Sequence, residues 1–80
     1  MIDRMKRVSE MLKREVAAIL AEKINDPRIR KVTVTRVEVS RDLRTCKVFC
    51  ILNAEEIEIK SIMTGLKASS KFIQLELSRT

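Results

Sequence analysis

Val32-Thr33-Val34-Thr35-Arg36-Val37-Glu38-Val39 reads as extended backbone, because most of its residues are β-branched. Its phase decides the fold. Successive side chains on a strand point to opposite faces. Val32 and Val34 therefore share one face, while Val37 and Val39 fall in the opposite phase. One extra residue near Thr35-Arg36 brings all four valines to one side, so the spacing predicts a β-bulge there. A strand with one apolar face needs a partner strand beside it and a cover over it.

The partner follows directly. Ser40-Arg41-Asp42-Leu43 is a turn by composition. Thr45 to Leu52 is a second strand, with Cys46, Val48 and Cys50 on one face and Phe49 and Ile51 on the other. Strands joined by so short a turn are antiparallel. The cover lies upstream. From Asp3 to about Ile24, Met5, Val8, Leu12, Val16, Ile19 and Leu20 step by three and four along one helical stripe. Lys6, Arg7, Lys13 and Arg14 point the opposite way, with Glu10 among them. Asp3 is the N-cap by residue type. Asn25-Asp26-Pro27 ends the helix, since the residue before proline avoids helical geometry. Downstream, Asn53 with Glu56 forms a capping-box-like pattern. Ile59, Ile62, Met63 and Leu66 then recur at helical spacing. Ala68-Ser69-Ser70 is read as an interruption or bend. Lys71 to Thr80 suits a short final helix through Phe72, Ile73, Leu75 and Leu77, although Ile73, Leu75 and Leu77 also alternate like a strand. The element order is helix, strand, strand, helix, short helix.

Eighty residues make a single domain, 1–80, with one thin core and no room for a deep substrate cleft. No apolar run approaches the roughly 18 residues of a membrane span. The opening Met1-Ile2-Asp3-Arg4 is charged, unlike a secretory signal. A cytoplasmic, unprocessed chain with no membrane partner is expected. The net charge of +6 is lopsided. Residues 1–47 hold 13 of the 17 basic and 7 of the 11 acidic groups, whereas residues 48–80 hold four of each. An excess confined to one half presents a one-sided field to a polyanion.

Catalytic equipment is sparse. Histidine, tryptophan and tyrosine are absent, so the common nucleophile–base pairs cannot be assembled. Glu55, Glu56 and Glu58 cluster where a helix dipole favours them without catalysis. Cys46 and Cys50 would lie about 13 Å apart on one strand, too far for a disulfide, and two thiols without histidine fall short of a zinc site. They are expected as buried, reduced thiols. No enzyme activity, cofactor, metal or small-molecule substrate is expected.

Taken together in order and spacing, these residues resemble the ribosome-binding factor A family of bacteria. The matching pieces are Arg7-Val8, Asp26-Pro27-Arg28, Val32 through Ser40, Asp42-Leu43 and Cys46-Lys47-Val48-Phe49-Cys50. The match over residues 4 to 53 is dense. It is looser beyond, at Leu66, Ala68, Phe72, Ile73 and Leu77. The resemblance implies a type II KH-like α+β fold, here α-β-β-α-α with an antiparallel hairpin and the family's final strand missing. It also implies a monomer that binds the free 30S ribosomal subunit, supports late maturation and processing of 16S rRNA, and leaves before translation. Two departures stand out. Ser70 occupies the glycine position of the family's Ala-x-Gly bend, and serine adopts positive φ only at a cost, so a milder bend is expected. The chain also stops at Thr80, before the last strand. A two-stranded hairpin is marginal alone, so helix packing must carry most of the stability.

Gly65 is the only glycine, so the Gly-x-x-Gly clamp typical of KH domains cannot form. Phe49 and Phe72, the only aromatics, sit in apolar patterns and are assigned to the core rather than to base stacking. Contact with RNA then falls to arginine and lysine on phosphates, which positions more than it specifies. The candidate contacts are Arg4, Lys6, Arg7, Lys13 and Arg14 on the first helix, then Arg28, Arg30, Lys31, Arg36 and Arg41. Lys67 and Lys71 flank the expected bend. Asp26 and Asp42 are assigned to cap and turn hydrogen bonds. Two other classes share the same charge pattern: a basic module docking on an acidic protein, and a nonspecific nucleic-acid-binding domain.

Overall fold

The computed structural model describes residues 4–42 and 44–78. Helix α1 spans Arg4–Glu22, a 3-10 helix Pro27–Lys31, strands β1 and β2 Val32–Val39 and Cys46–Leu52, and helix α2 Glu56–Ser78. The two strands pair antiparallel. This helix–hairpin–helix order is the α+β arrangement expected from the sequence and is consistent with a KH-like fold. The N-cap assigned to Asp3, the turn residue Leu43 and the chain's last two residues lie outside the described residues.

The bulge falls where the valine phases place it. Val34 pairs with Cys50 and Arg36 with Phe49, leaving Thr35 as the extra residue. The Thr35 hydroxyl donates to the Phe49 carbonyl at 3.1 Å. Val34 and Val37 are buried, and Val32 and Val39 pack against the same core. The shift has a second effect. In an unbroken strand Arg36 would share the face of Val32 and Val34; the bulge turns it outward, opposite Phe49.

Val16 and Leu20 of α1 cover the valine face, and Ile19 is buried as well. Ile29 of the 3-10 helix, 1% exposed, closes one end of this core. On α2, Ile62 is buried, and Leu66, Ile73 and Leu77 pack against the α1–β1 cluster. Lys23 reaches from just past the end of α1 to Glu76 near the end of α2, Nζ to Oε2 2.6 Å.

Several finer expectations are corrected. There is no break at Ala68-Ser69-Ser70; α2 is continuous. Its inner stripe runs through Ile62, Leu66, Ser69, Ile73 and Leu77 at steps of three and four, so packing favours one unbroken helix. The Ser70 hydroxyl donates to the Lys67 carbonyl at 3.0 Å, a bond that lets serine sit inside a helix. Asn53 does not cap α2. Its N–H donates to the Lys31 carbonyl at 2.8 Å and prolongs the hairpin ladder, and the helix starts three residues later. Phe49 and Phe72 are not core residues: they are 38% and 40% exposed. Cys46 is exposed and Cys50 only half-buried, and both are free thiols. Both lie on the core side of β2, where cover is thin. Partial burial pushes both thiols above their ordinary pKa.

Candidate nucleic-acid interface

Four cations dominate the outer face of α1. Lys6 and Lys13, like Arg7 and Arg14, are seven residues apart, so each pair stands about 10 Å apart along the axis, on nearly the same side. Arg4 lies one turn before Arg7 and extends the row. Glu10 is the sole acid among the four. Arg4, Lys6, Arg7 and Arg14 are exposed and Lys13 is half-buried. None of the five cations makes an ion pair among the described residues.

The 3-10 helix divides its charges by direction. Asp26 caps it and accepts from the Arg28 backbone N–H at 3.0 Å. The Arg28 guanidinium folds back onto the same carboxylate, Nη2 to Oδ2 2.7 Å and Nε to both oxygens at 3.1 Å. Its other nitrogen, Nη1, donates to the Ser61 carbonyl at 3.3 Å and reaches the Ser61 hydroxyl at 3.4 Å. Hydrogen bonds from the Arg28 side chain, then from its backbone, hold the Asp26 carboxyl below the usual carboxylate range. Gly65 faces this clamp. A Cβ there would stand 3.2 Å from Asp26 Oδ2 and 3.3 Å from Arg28 Nη2, so glycine permits the close approach. Lys31 pairs with Glu58. Both Arg28 and Lys31 thus tie the 3-10 helix to α2. Arg30, between them, is exposed and borders a shallow groove with Ala17 and Ala21 of α1 and Thr33 of β1. It is the one candidate of this segment that the structure brings beside α1.

The remaining candidates sit elsewhere. Arg36 lies on the outward face of the hairpin, 4.3 Å above the Phe49 ring and 3.2 Å from Glu38. Arg41 occupies the hairpin turn. There Asp42 accepts from the Ser40 hydroxyl at 2.6 Å and the Arg44 N–H at 3.1 Å, and these bonds lower its pKa. Asp26 and Asp42 therefore hold the cap and turn roles assigned to them. Lys67 and Lys71 are exposed one turn apart on α2. Lys60, seven residues before Lys67, continues that row, and Arg44 and Lys47 add to the hairpin. The sequence reading omitted these three, although the heptad interval from Lys60 to Lys67 was there to be found. Among the described residues no three His, Cys, Asp or Glu gather as metal ligands, and no helix is long and apolar enough to cross a membrane.

The sequence profile of the ribosome-binding factor A family matches residues 4–80. Curated relatives include the ribosome-binding factor A of Syntrophobacter fumaroxidans, 44% identical over 75 residues that cover 91% of this chain and 64% of that protein. That of Prochlorococcus marinus strain MIT 9303 is 40% identical over 78 residues, 95% of this chain and 55% of the relative. That of Acetivibrio thermocellus is 37% identical over 79 residues, 98% and 64% respectively. The chain therefore spans between 55% and 64% of the length of these relatives.

Proposed function

The chain belongs to the ribosome-binding factor A family, and on that footing we propose that it is a ribosome assembly factor that binds the free 30S subunit and supports late maturation and processing of its 16S rRNA. It acts as a monomer in the cytoplasm, by reversible binding rather than by catalysis. The observation that carries this reading is the row of cations on α1, Arg4, Lys6, Arg7, Lys13 and Arg14, which make no ion pair among the described residues, with Arg30 beside it. Cations without internal partners are free to take phosphates, and each phosphate contact releases counterions. Arg36, Arg41, Lys67 and Lys71 extend the contact from other elements. Arg28 and Lys31 contribute less, because each already holds a carboxylate of this chain.

The test is sedimentation of the protein with a bacterial extract on a sucrose gradient. Comigration with free small subunits but not whole ribosomes is expected, weakening steeply with salt. Reversing Arg7, Arg14 and Arg30 to Glu should abolish it with an unchanged circular dichroism spectrum. Undiminished comigration of that variant sinks the site. Loss of binding to bare 16S rRNA but not to whole subunits would favour an acidic protein partner instead.

A further inference from the structure

One feature of the hairpin is not needed by the fold. Its outward face carries Phe49, 38% exposed, and Ile51, 59% exposed. No element packs on this face among the described residues; the helices cover the valine side. The Arg36 guanidinium lies 4.3 Å from the Phe49 ring centroid, and the bulge at Thr35 is what places it there. The Thr35 hydroxyl bonded to the Phe49 carbonyl fixes the strand at that point. Lys47 stands on the same face. Glu38, the sole acid on it, is 3.2 Å from Arg36. A ring and a planar cation are thus held together in the open, on a face with a net positive charge.

From this geometry we propose that the Phe49–Arg36 pair is a stacking site for one unpaired RNA base, with Lys47 on the adjoining phosphate. The proposal rests on the RNA-binding reading above and adds a second mode of contact to it. The occupant follows from chemistry and size. A nucleobase has a flat π face and stacks on aromatic rings and on guanidinium planes. Its phosphate complements Arg36 and Lys47. The apolar part of the patch is one ring and one isoleucine wide, too small for a stable protein interface but wide enough for a base. Paired bases in a duplex are already stacked and leave the site unused.

The chain has no tryptophan or tyrosine, so Phe49→Trp supplies a single fluorescent reporter at the site. Titrating that variant with oligoadenylate at low salt should quench its emission, whereas an RNA duplex that binds in a gel-shift assay should not. Phe49→Leu keeps an apolar strand residue and should bind oligoadenylate about tenfold more weakly. Its duplex binding should not change, and Phe49→Tyr should restore the parent affinity. Undisturbed emission at saturating oligoadenylate, or equal affinity of Phe49→Leu and parent, overturns the stacking site and leaves the phosphate-binding reading standing. Failure of the parent to bind either RNA overturns both.

Discussion

The outer face of α1 and the junction between the 3-10 helix and α2 carry the same residue types and put them to different uses. On α1, Lys6, Arg7, Lys13 and Arg14 repeat along a helix whose inner side is already fixed by Val16, Ile19 and Leu20. At the junction, Arg28 and Lys31 are ligated by Asp26, Ser61 and Glu58. The first set makes no ion pair among the described residues. The second fastens α2 to the hairpin side of the molecule. A cation's place in the sequence does not say which kind it is; its partners do.

The largest effect expected lies beneath the junction. Ile29 is the apolar anchor of the 3-10 helix, and Ile29→Ala should destabilise the fold by about 3 kcal/mol, within the usual range for a buried isoleucine. Chemical denaturation measures it. A loss under 1 kcal/mol would mean that the junction does not rest on its apolar anchor. Next comes the contrast itself. Neutralising Arg7 and Arg14 to Gln should make the slope of log affinity against log salt shallower by about 1.5 for RNA, at unchanged melting temperature. Neutralising Arg28 and Lys31 should do the reverse: a lower melting temperature and an RNA slope within error of the parent. Equal slopes for the two double variants would erase the distinction between the regions.

How much of this was legible beforehand follows from the range of each interaction. The bulge was legible because it is a phase error among valines three to seven residues apart. The α1 stripe and its basic side were legible because helical periodicity is local. Asp26 and Asp42 bond to neighbours two residues away, and residue type announces that chemistry. The engagement of Arg28 and Lys31 was not legible, because Ser61 and Glu58 are 33 and 27 residues distant. The outward turn of Phe49 was half legible. Its alternation with Val48 placed it on the opposite face, but nothing local said that this face would stay uncovered. The interruption or bend read at Ala68-Ser69-Ser70 misled, because serine side chains compete for backbone hydrogen bonds, although Ser70 at the family's glycine position did point to a milder bend. The bond to Lys67 that removes the difficulty exists only once the helix has formed.

Gly65→Ala sharpens the comparison at smaller amplitude. Alanine is favoured over glycine within a helix by about 1 kcal/mol. Here its Cβ would press on the clamp, so the parent background should show no gain, or a small loss. Replacing Asp26 and Arg28 with Ala removes the obstruction, and the same Gly65→Ala change should then stabilise by close to its full propensity. Denaturant midpoints of the four proteins give the coupling. Additivity would mean that the clamp does not reach α2.

The smallest effect is set by acid. Asp26 ionises more readily in the folded chain than its ordinary value near 3.8, because Arg28 donates to it. A carboxyl whose folded pKa is depressed contributes stability above the unfolded pKa and loses it as pH falls through the folded one. The junction should therefore weaken between about pH 4 and the lower, folded value. Asp42 behaves alike in the hairpin turn, so the parent's acid transition contains both. Asp26→Asn should be less stable than the parent at neutral pH and approach it as pH drops. In that variant, amide exchange should be faster around Pro27–Lys31 at neutral pH and hardly faster still in acid after correction for intrinsic rates. Protection at the junction that fell equally with pH in Asp26→Asn and the parent would assign the acid sensitivity to Asp42 and the hairpin instead.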